Sequence, residues 1–145
     1  MSTTTAILDR RAFVSACAAC CAAFTVSGCA SLVTHPVPVT DGRVRLRLAD
    51  YPDLTAQDGV IRIQPTGLEH PIYVLTAGSS FQAVSPICTH RGCTVDVQGD
   101  RLVCPCHGST YDRAGAVLKG PAQRALTRFP VERAGDALVI QVAAR

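Results

Sequence analysis

Four cysteines and two histidines fall within a twenty-residue stretch, and they fall in two short loops. The first loop runs Cys88, Thr89, His90, Arg91, Gly92, Cys93; the second runs Cys104, Pro105, Cys106, His107, Gly108, Ser109. Thirteen residues separate His90 from Cys104. Within that gap, the strand-like runs 94–97 and 101–103 flank Gly99-Asp100, the signature of a β-hairpin with a tight turn. A hairpin brings its two ends together, so both loops meet at one tip. The fold must therefore gather six metal-ligand-type side chains at one place, more than a single tetrahedral zinc needs.

The rest of the chain reads as short strands. Residues 43–48 (Arg-Val-Arg-Leu-Arg-Leu) alternate strictly, which puts Val44, Leu46 and Leu48 on a buried face. Arg43, Arg45 and Arg47 form the solvated face, with a docking patch for an acidic partner as the sharper reading. Further runs at 60–63, 72–75, 81–84 and 137–142 are bounded by Gly, Pro or Asp, and Gly135-Asp136 reads as a second hairpin turn. No window after Val33 shows the periodicity of an amphipathic helix. The expectation is all-β, an antiparallel sandwich or barrel over 43–145. At 145 residues there is one such domain. Residues 34–42 contain Pro36 and Pro38 and read as an extended linker. His35 is expected to be a linker residue, and His70 to have a structural role at a strand end.

The segment 1–33 has a different character. Arg10 and Arg11 precede an uncharged run that extends from Ala12 to Val33. With Phe13 they resemble the twin-arginine export motif. Val26-Ser27-Gly28-Cys29 looks like a lipobox, which makes Cys29 a lipidation candidate. The same run is just long enough to stay as a membrane-spanning anchor at ~1.5 Å per residue, and a plain cleaved signal is the third possibility. The first two fit a domain held on the outer, extracytoplasmic face of a bacterial cytoplasmic membrane. Cys17, Cys20 and Cys21 read as small apolar residues of this run. Net charge is only +3, there is no block of like charge and no Trp, and aromatics are 5% of the chain, which excludes nucleic acid as a partner.

Three readings of the two loops compete. A structural zinc would use four of the six groups and make the chain a zinc- or disulfide-stabilised exported binding module. Disulfides alone would leave both histidines unexplained. An iron–sulfur cluster with mixed cysteine and histidine ligands uses Cys-x-His and Cys-x-x-His and leaves Cys93 and Cys106 over. The two boxes themselves, CTHRGC and CPCHGS, resemble the cluster-binding boxes of the Rieske iron–sulfur proteins. The likeness continues through Ser109, Thr110, Tyr111 and Asp112 to Gly120-Pro121-Ala122.

That resemblance implies a small cluster-binding subdomain on the β domain, with one [2Fe–2S] cluster per chain. Cys88 and Cys104 would hold one iron, His90 and His107 the other, and Cys93 and Cys106 would form the disulfide of the high-potential subgroup. Ser109 and Tyr111 match hydroxyl donors to cluster sulfur, and Gly120, Pro121 and Ala122 match the loop that covers the cluster. Two neutral imidazoles in place of thiolates make reduction easier, with Rieske potentials from ~−150 to +300 mV against ~−400 mV for plant-type ferredoxins. The function implied is electron transfer, as the iron–sulfur subunit of a quinol–cytochrome c reductase of the cytochrome bc type or as a stand-alone membrane-tethered carrier. In the first case, cytochrome b, a c-type cytochrome and quinol are the partners, and the ligand histidines couple electron transfer to proton release. The docking tip would comprise Arg91, Gly92 and Gly108. Two positions depart from the quinol-oxidising pattern: Arg91 stands where Leu is common, and Gln123 where a second Pro often follows Gly-Pro-Ala.

Overall fold

The computed structural model describes residues 32–143. Among the described residues, twelve strands lie in three sheets, with two 3-10 turns at Leu48–Asp50 and Pro52–Thr55. The strands are β1 (Thr34–Val37), β2 (Arg43–Arg47), β3 (Val60–Pro65), β4 (Ile72–Ala77), β5 (Ser80–Val84), β6 (Asp96–Gln98), β7 (Arg101–Val103), β8 (Thr110–Asp112), β9 (Val117–Lys119), β10 (Arg128–Phe129), β11 (Val131–Ala134) and β12 (Ala137–Gln141). A five-stranded sheet has the order β1-β3-β4-β5-β10, and a three-stranded sheet the order β11-β12-β2. The third sheet, β6-β7-β8-β9, carries both cysteine–histidine loops. Among the described residues no helix is long and apolar enough to cross a membrane. The export motif at Arg10 and Arg11, the lipidation candidate Cys29 and nearly all of the uncharged run lie outside the described residues.

Alternation is what builds the larger core. On β2, Val44 and Leu46 are buried while the three arginines are exposed, and β12 meets it in register with Ile140 opposite Val44 and Leu138 opposite Leu46. These side chains pack with Ile61, Ile63, Ile72 and Val74 from β3 and β4. Each such aliphatic side chain, fully buried, contributes about 1.5–3 kcal/mol. A second cluster joins Tyr73, Leu75 and Val84 of the five-stranded sheet to Leu102 and Tyr111 of the loop-bearing sheet and to Val95 just before it. The reactive loops therefore stand on a packed floor.

Three differences from the sequence reading have local causes. Residues 34–37, read as linker, form an edge strand that pairs with β3 in parallel, Val37 opposite Pro65. The edge position tolerates Pro36, which lacks an N–H, and Val37 is buried. The sheets are thus antiparallel except for this one pair. The strand expected at 94–97 begins only at Asp96, because Thr94 bridges back to Ile87 at the loop mouth. Leu48 opens a 3-10 turn and is half-buried against the core.

Arg113 joins the loop-bearing sheet to the larger one. Only 8% exposed, it donates from Nε to the Thr76 carbonyl at 2.8 Å, from one terminal nitrogen to Gly99 at 2.7 Å and from the other to Gly59 at 2.6 Å. One guanidinium thus serves the end of β4, the β6–β7 turn and the approach to β3, matching its fixed fork of donors to three carbonyls.

Candidate metal centre

The two loops are one turn made twice. In the first, the Gly92 N–H donates to the Cys88 carbonyl at 2.8 Å and the Cys88 N–H to the Cys93 carbonyl at 2.8 Å. In the second, Gly108 donates to Cys104 at 2.9 Å and Cys104 to the Ser109 carbonyl at 2.8 Å. Both turns close through a glycine with positive φ, +77° at Gly92 and +74° at Gly108, a conformation a Cβ would strain. The hairpin β6–β7, with Gly99 at its turn, sets the loops side by side.

Their juxtaposition is direct. Cys93 and Cys106 form a disulfide across the loops, with Cα atoms 6.5 Å apart. The His90 and His107 rings lie 4.9 Å apart, centroid to centroid, and meet edge to face at 89°. Cys88 and Cys104 are free thiols, 2% and 1% exposed. The Cys104 sulfur lies within 4.8 Å of both disulfide sulfurs. His107 is exposed, whereas His90 is half-buried with its Nδ1 fully enclosed and without a hydrogen-bond partner. An enclosed imidazole nitrogen with no partner is costly unless something is bound there.

Hydroxyls surround the two thiols. Tyr111, fully buried on β8, places its hydroxyl 3.2 Å from the Cys88 sulfur. The same hydroxyl accepts the Thr89 N–H at 3.3 Å and lies 3.2 Å from the Thr89 hydroxyl. Burial pushes the Cys88 thiol up, but hydrogen bonds from Tyr111, the His90 amide, the Cys104 thiol and the Arg91 amide together outweigh it and hold Cys88 below its ordinary pKa. Burial dominates at Cys104 and raises its thiol. Ser109, also fully buried, accepts the Ala122 N–H at 3.0 Å, so its own proton is free to donate elsewhere. That bond ties the Gly120-Pro121-Ala122 segment, which contains a cis Gly120–Pro121 bond, to the second loop. Arg91 and Gly92 are exposed and Gly108 half-buried.

Sequence reading missed two participants. The Thr89 hydroxyl donates to the Arg124 carbonyl at 2.6 Å and so joins the first loop to the chain beyond Ala122. Arg113 was not singled out, and its partners are 14 to 54 residues away in sequence, beyond the reach of any local motif.

Residues 50–130 match the Rieske [2Fe-2S] domain family. This chain belongs to that family, and its cofactor is a Rieske [2Fe–2S] cluster. It is 38% identical over 74 residues to the cytochrome b6-f complex iron-sulfur subunit of Chlorobaculum tepidum, covering 50% of this chain and 41% of that one. It is 42% identical over 76 residues to the corresponding subunit of Prochlorococcus marinus strain MIT 9215, covering 49% and 43%. The chain thus spans about two fifths of the length of these curated relatives. Among solved structures it resembles the cyanobacterial plasma membrane Rieske protein of Synechocystis PCC 6803, at 35% identity and TM-score 0.54, over 61% of this chain and 91% of that one. The ferredoxin of carbazole 1,9a-dioxygenase from Nocardioides aromaticivorans shares the fold, at 20% identity and TM-score 0.52, over 68% and 98%.

The residues present fit that cofactor. With Cys93 and Cys106 joined to each other, two buried thiols and two adjacent imidazoles remain, one of them with an enclosed, unpartnered nitrogen. Two cysteines and two histidines also suit tetrahedral zinc; family membership decides for iron.

Proposed function

We propose that this chain transfers single electrons through a high-potential cluster as the iron–sulfur subunit of a quinol–cytochrome c oxidoreductase of the cytochrome bc type. In this reading it is exported and tethered on the outer face of a bacterial cytoplasmic membrane. The observation that carries the assignment is the pairing of the His90 and His107 rings at 4.9 Å beside two buried free thiols. Cys88 and Cys104 would hold one iron as thiolates, and His90 and His107 would hold the other through neutral imidazoles. When bound, the cluster supplies a one-electron store at high potential.

The chain's own residues set how that store works. With a cluster bound, the Tyr111 hydroxyl would donate to the Cys88 sulfur and the Ser109 hydroxyl would be placed to donate to cluster sulfur; both would favour the more negative, reduced state and raise the potential. The Cys93–Cys106 bridge holds the two ligand loops at fixed separation. The Gly120-Pro121-Ala122 segment, tied to the second loop through Ser109, would cover a bound cluster on that side. The ring nitrogen that each ligand histidine does not give to iron is free to hold or release a proton, and exposed His107 presents its own to a partner. Cytochrome b, a c-type cytochrome and quinol are the partners on this reading, supported by the likeness to cytochrome b6-f subunits.

Arg91 favours a second reading, a stand-alone membrane-tethered carrier. It is exposed at the tip, where a charge disfavours entry into an apolar quinol pocket. The Synechocystis relative is itself described as a plasma membrane Rieske protein. Purification of the tagged full chain from its native membrane separates the two. Co-purification of a b-type cytochrome, with an EPR spectrum that shifts on adding a quinone-site inhibitor, supports the subunit reading. Isolation without a cytochrome b and an inhibitor-insensitive spectrum overturns it in favour of the carrier.

A further inference from the structure

The tip of the loop-bearing sheet carries positive charge and no carboxylate. The segments that form it, residues 86–95, 104–111 and 119–124, contain Arg91, Lys119 and Arg124 and neither Asp nor Glu. All three cations are exposed, and none has a carboxylate within ion-pair distance among the described residues. Their places around the site follow from the backbone. Arg91 lies between His90 and Gly92. Lys119 is paired with Thr110, next to Ser109. The Arg124 carbonyl receives the Thr89 hydroxyl, which puts that residue against the first loop.

Of the acidic residues of this sheet, Asp112 is engaged, Asp100 is displaced and Asp96 is exposed. Asp112 spends one carboxylate oxygen on the Ala114 and Ala116 amides, at 2.9 and 2.8 Å. Asp100 sits in the β6–β7 turn, at the hairpin end opposite the loops, 3.6 Å from Arg101. Asp96 is paired with Val103 at the base of the second loop and is the remaining carboxylate of the sheet.

We propose that the cationic rim of Arg91, Lys119 and Arg124 docks a protein electron acceptor whose surface around its own one-electron centre is acidic. The inference rests on the electron-transfer reading and gives that reading's acceptor its chemistry. Three unpaired cations around an exposed imidazole form a field that steers a carboxylate-rimmed face onto the histidine tip, and steering of this kind raises association rates by ~10- to 10³-fold at low salt. In the encounter one electron leaves this chain's reduced centre and enters the acceptor's oxidised centre, and no atom is transferred.

The test is stopped-flow oxidation of the reduced, cluster-loaded protein by two soluble c-type cytochromes, one with an acidic and one with a basic haem edge. Ionic strength is varied over a range that brings the Debye length from ~30 to below ~8 Å. Binding to the acidic probe is measured in parallel by calorimetry with both proteins oxidised. For the acidic cytochrome, the rate constant and the affinity are expected to fall at least tenfold as salt rises. Arg91→Glu combined with Arg124→Glu is expected to remove that dependence and to increase the rate with the basic cytochrome, while the EPR spectrum stays that of the parent. Salt-independent rates, or a double variant that behaves as the parent, overturn the proposal. So does a double variant that loses only its binding to phosphatidylglycerol vesicles, which would assign the rim to an anionic bilayer. A protein without a reducible cluster fails at the EPR step and overturns the electron-transfer reading itself.

Discussion

The Ser109 hydroxyl accepts the backbone N–H of Ala122 at 3.0 Å, so the loop that carries Cys104 and His107 is anchored to the segment lying over it by a fully buried side chain. One small side chain therefore accepts from Ala122 and, on the proposed reading, has its own proton left for a cluster sulfide. Ser109→Ala removes both interactions. A buried amide left without a partner costs about 1–3 kcal/mol, which urea unfolding followed by circular dichroism would register. The reduction potential is expected to fall as well, because a donor to sulfur is lost; redox titration of the purified domain checks its direction.

The Cys93–Cys106 bridge closes a loop over a sequence separation of 13. Restricting a loop of that length in the unfolded chain is worth about 3 kcal/mol. The Cys93→Ser, Cys106→Ser double variant is expected to unfold at correspondingly lower urea. Its cluster should also be lost faster in air, as the two ligand loops are no longer held together, and the decay of visible absorbance gives that rate.

Arg113 presents its guanidinium to three carbonyls, of Thr76, Gly99 and Gly59, with no carboxylate among these partners. Arg113→Met keeps much of the stem but leaves three acceptors without their donor. A loss of about 3 kcal/mol or more is expected, since hydrogen bonds from a charged group contribute about 1.5–3 kcal/mol each and do not sum fully. Arg113→Lys should recover only part of it, because an ammonium lacks the fork that reaches three directions. Thermal melts of the two variants give the comparison.

Tyr73 supplies a pH dependence from beneath the first loop. Burial pushes its phenol above its ordinary value of 10.0, with Asp96 adding to the rise against a smaller opposing pull than burial from Arg62. Its hydroxyl donates to the Val95 carbonyl at 3.0 Å, which requires the proton. The folded state thus binds that proton more tightly than the unfolded chain. The stability it contributes is whole below pH 10 and is lost as pH rises from there through the raised folded value. Tyr73→Phe should lower stability by about 1 kcal/mol at neutral pH and flatten the alkaline decline, as read from urea midpoints across the alkaline range.

Sequence and structure agree best where chemistry is local. The two boxes, the hairpin between them and the alternation of β2 are contiguous patterns, each set by a short-range rule: a turn glycine, a period of two, a fixed spacing of ligands. The parallel pairing of β1 was not legible, because two prolines suggest a tether and nothing local shows the partner strand waiting far along the chain, Thr34 opposite Arg62. The short strands β8 to β10 escaped for a related reason. At two or three residues each they are too brief to show a period, and they exist through their neighbours. Arg113 is the clearest case: as a sequence character it is one more surface arginine, and only the closed fold brings three carbonyls to it.

On the proposed reading Cys88, Cys104, His90 and His107 share one cluster, two sulfurs on one iron and two imidazoles on the other. Pulsed EPR of the dithionite-reduced protein, grown with nitrogen-15 histidine, tests it most directly. A rhombic spectrum is expected, with couplings to two directly bound imidazole nitrogens, both lost with the cluster in His90→Ala and His107→Ala. An axial, ferredoxin-like spectrum with no strong histidine coupling, or a colourless protein carrying zinc, would contradict it.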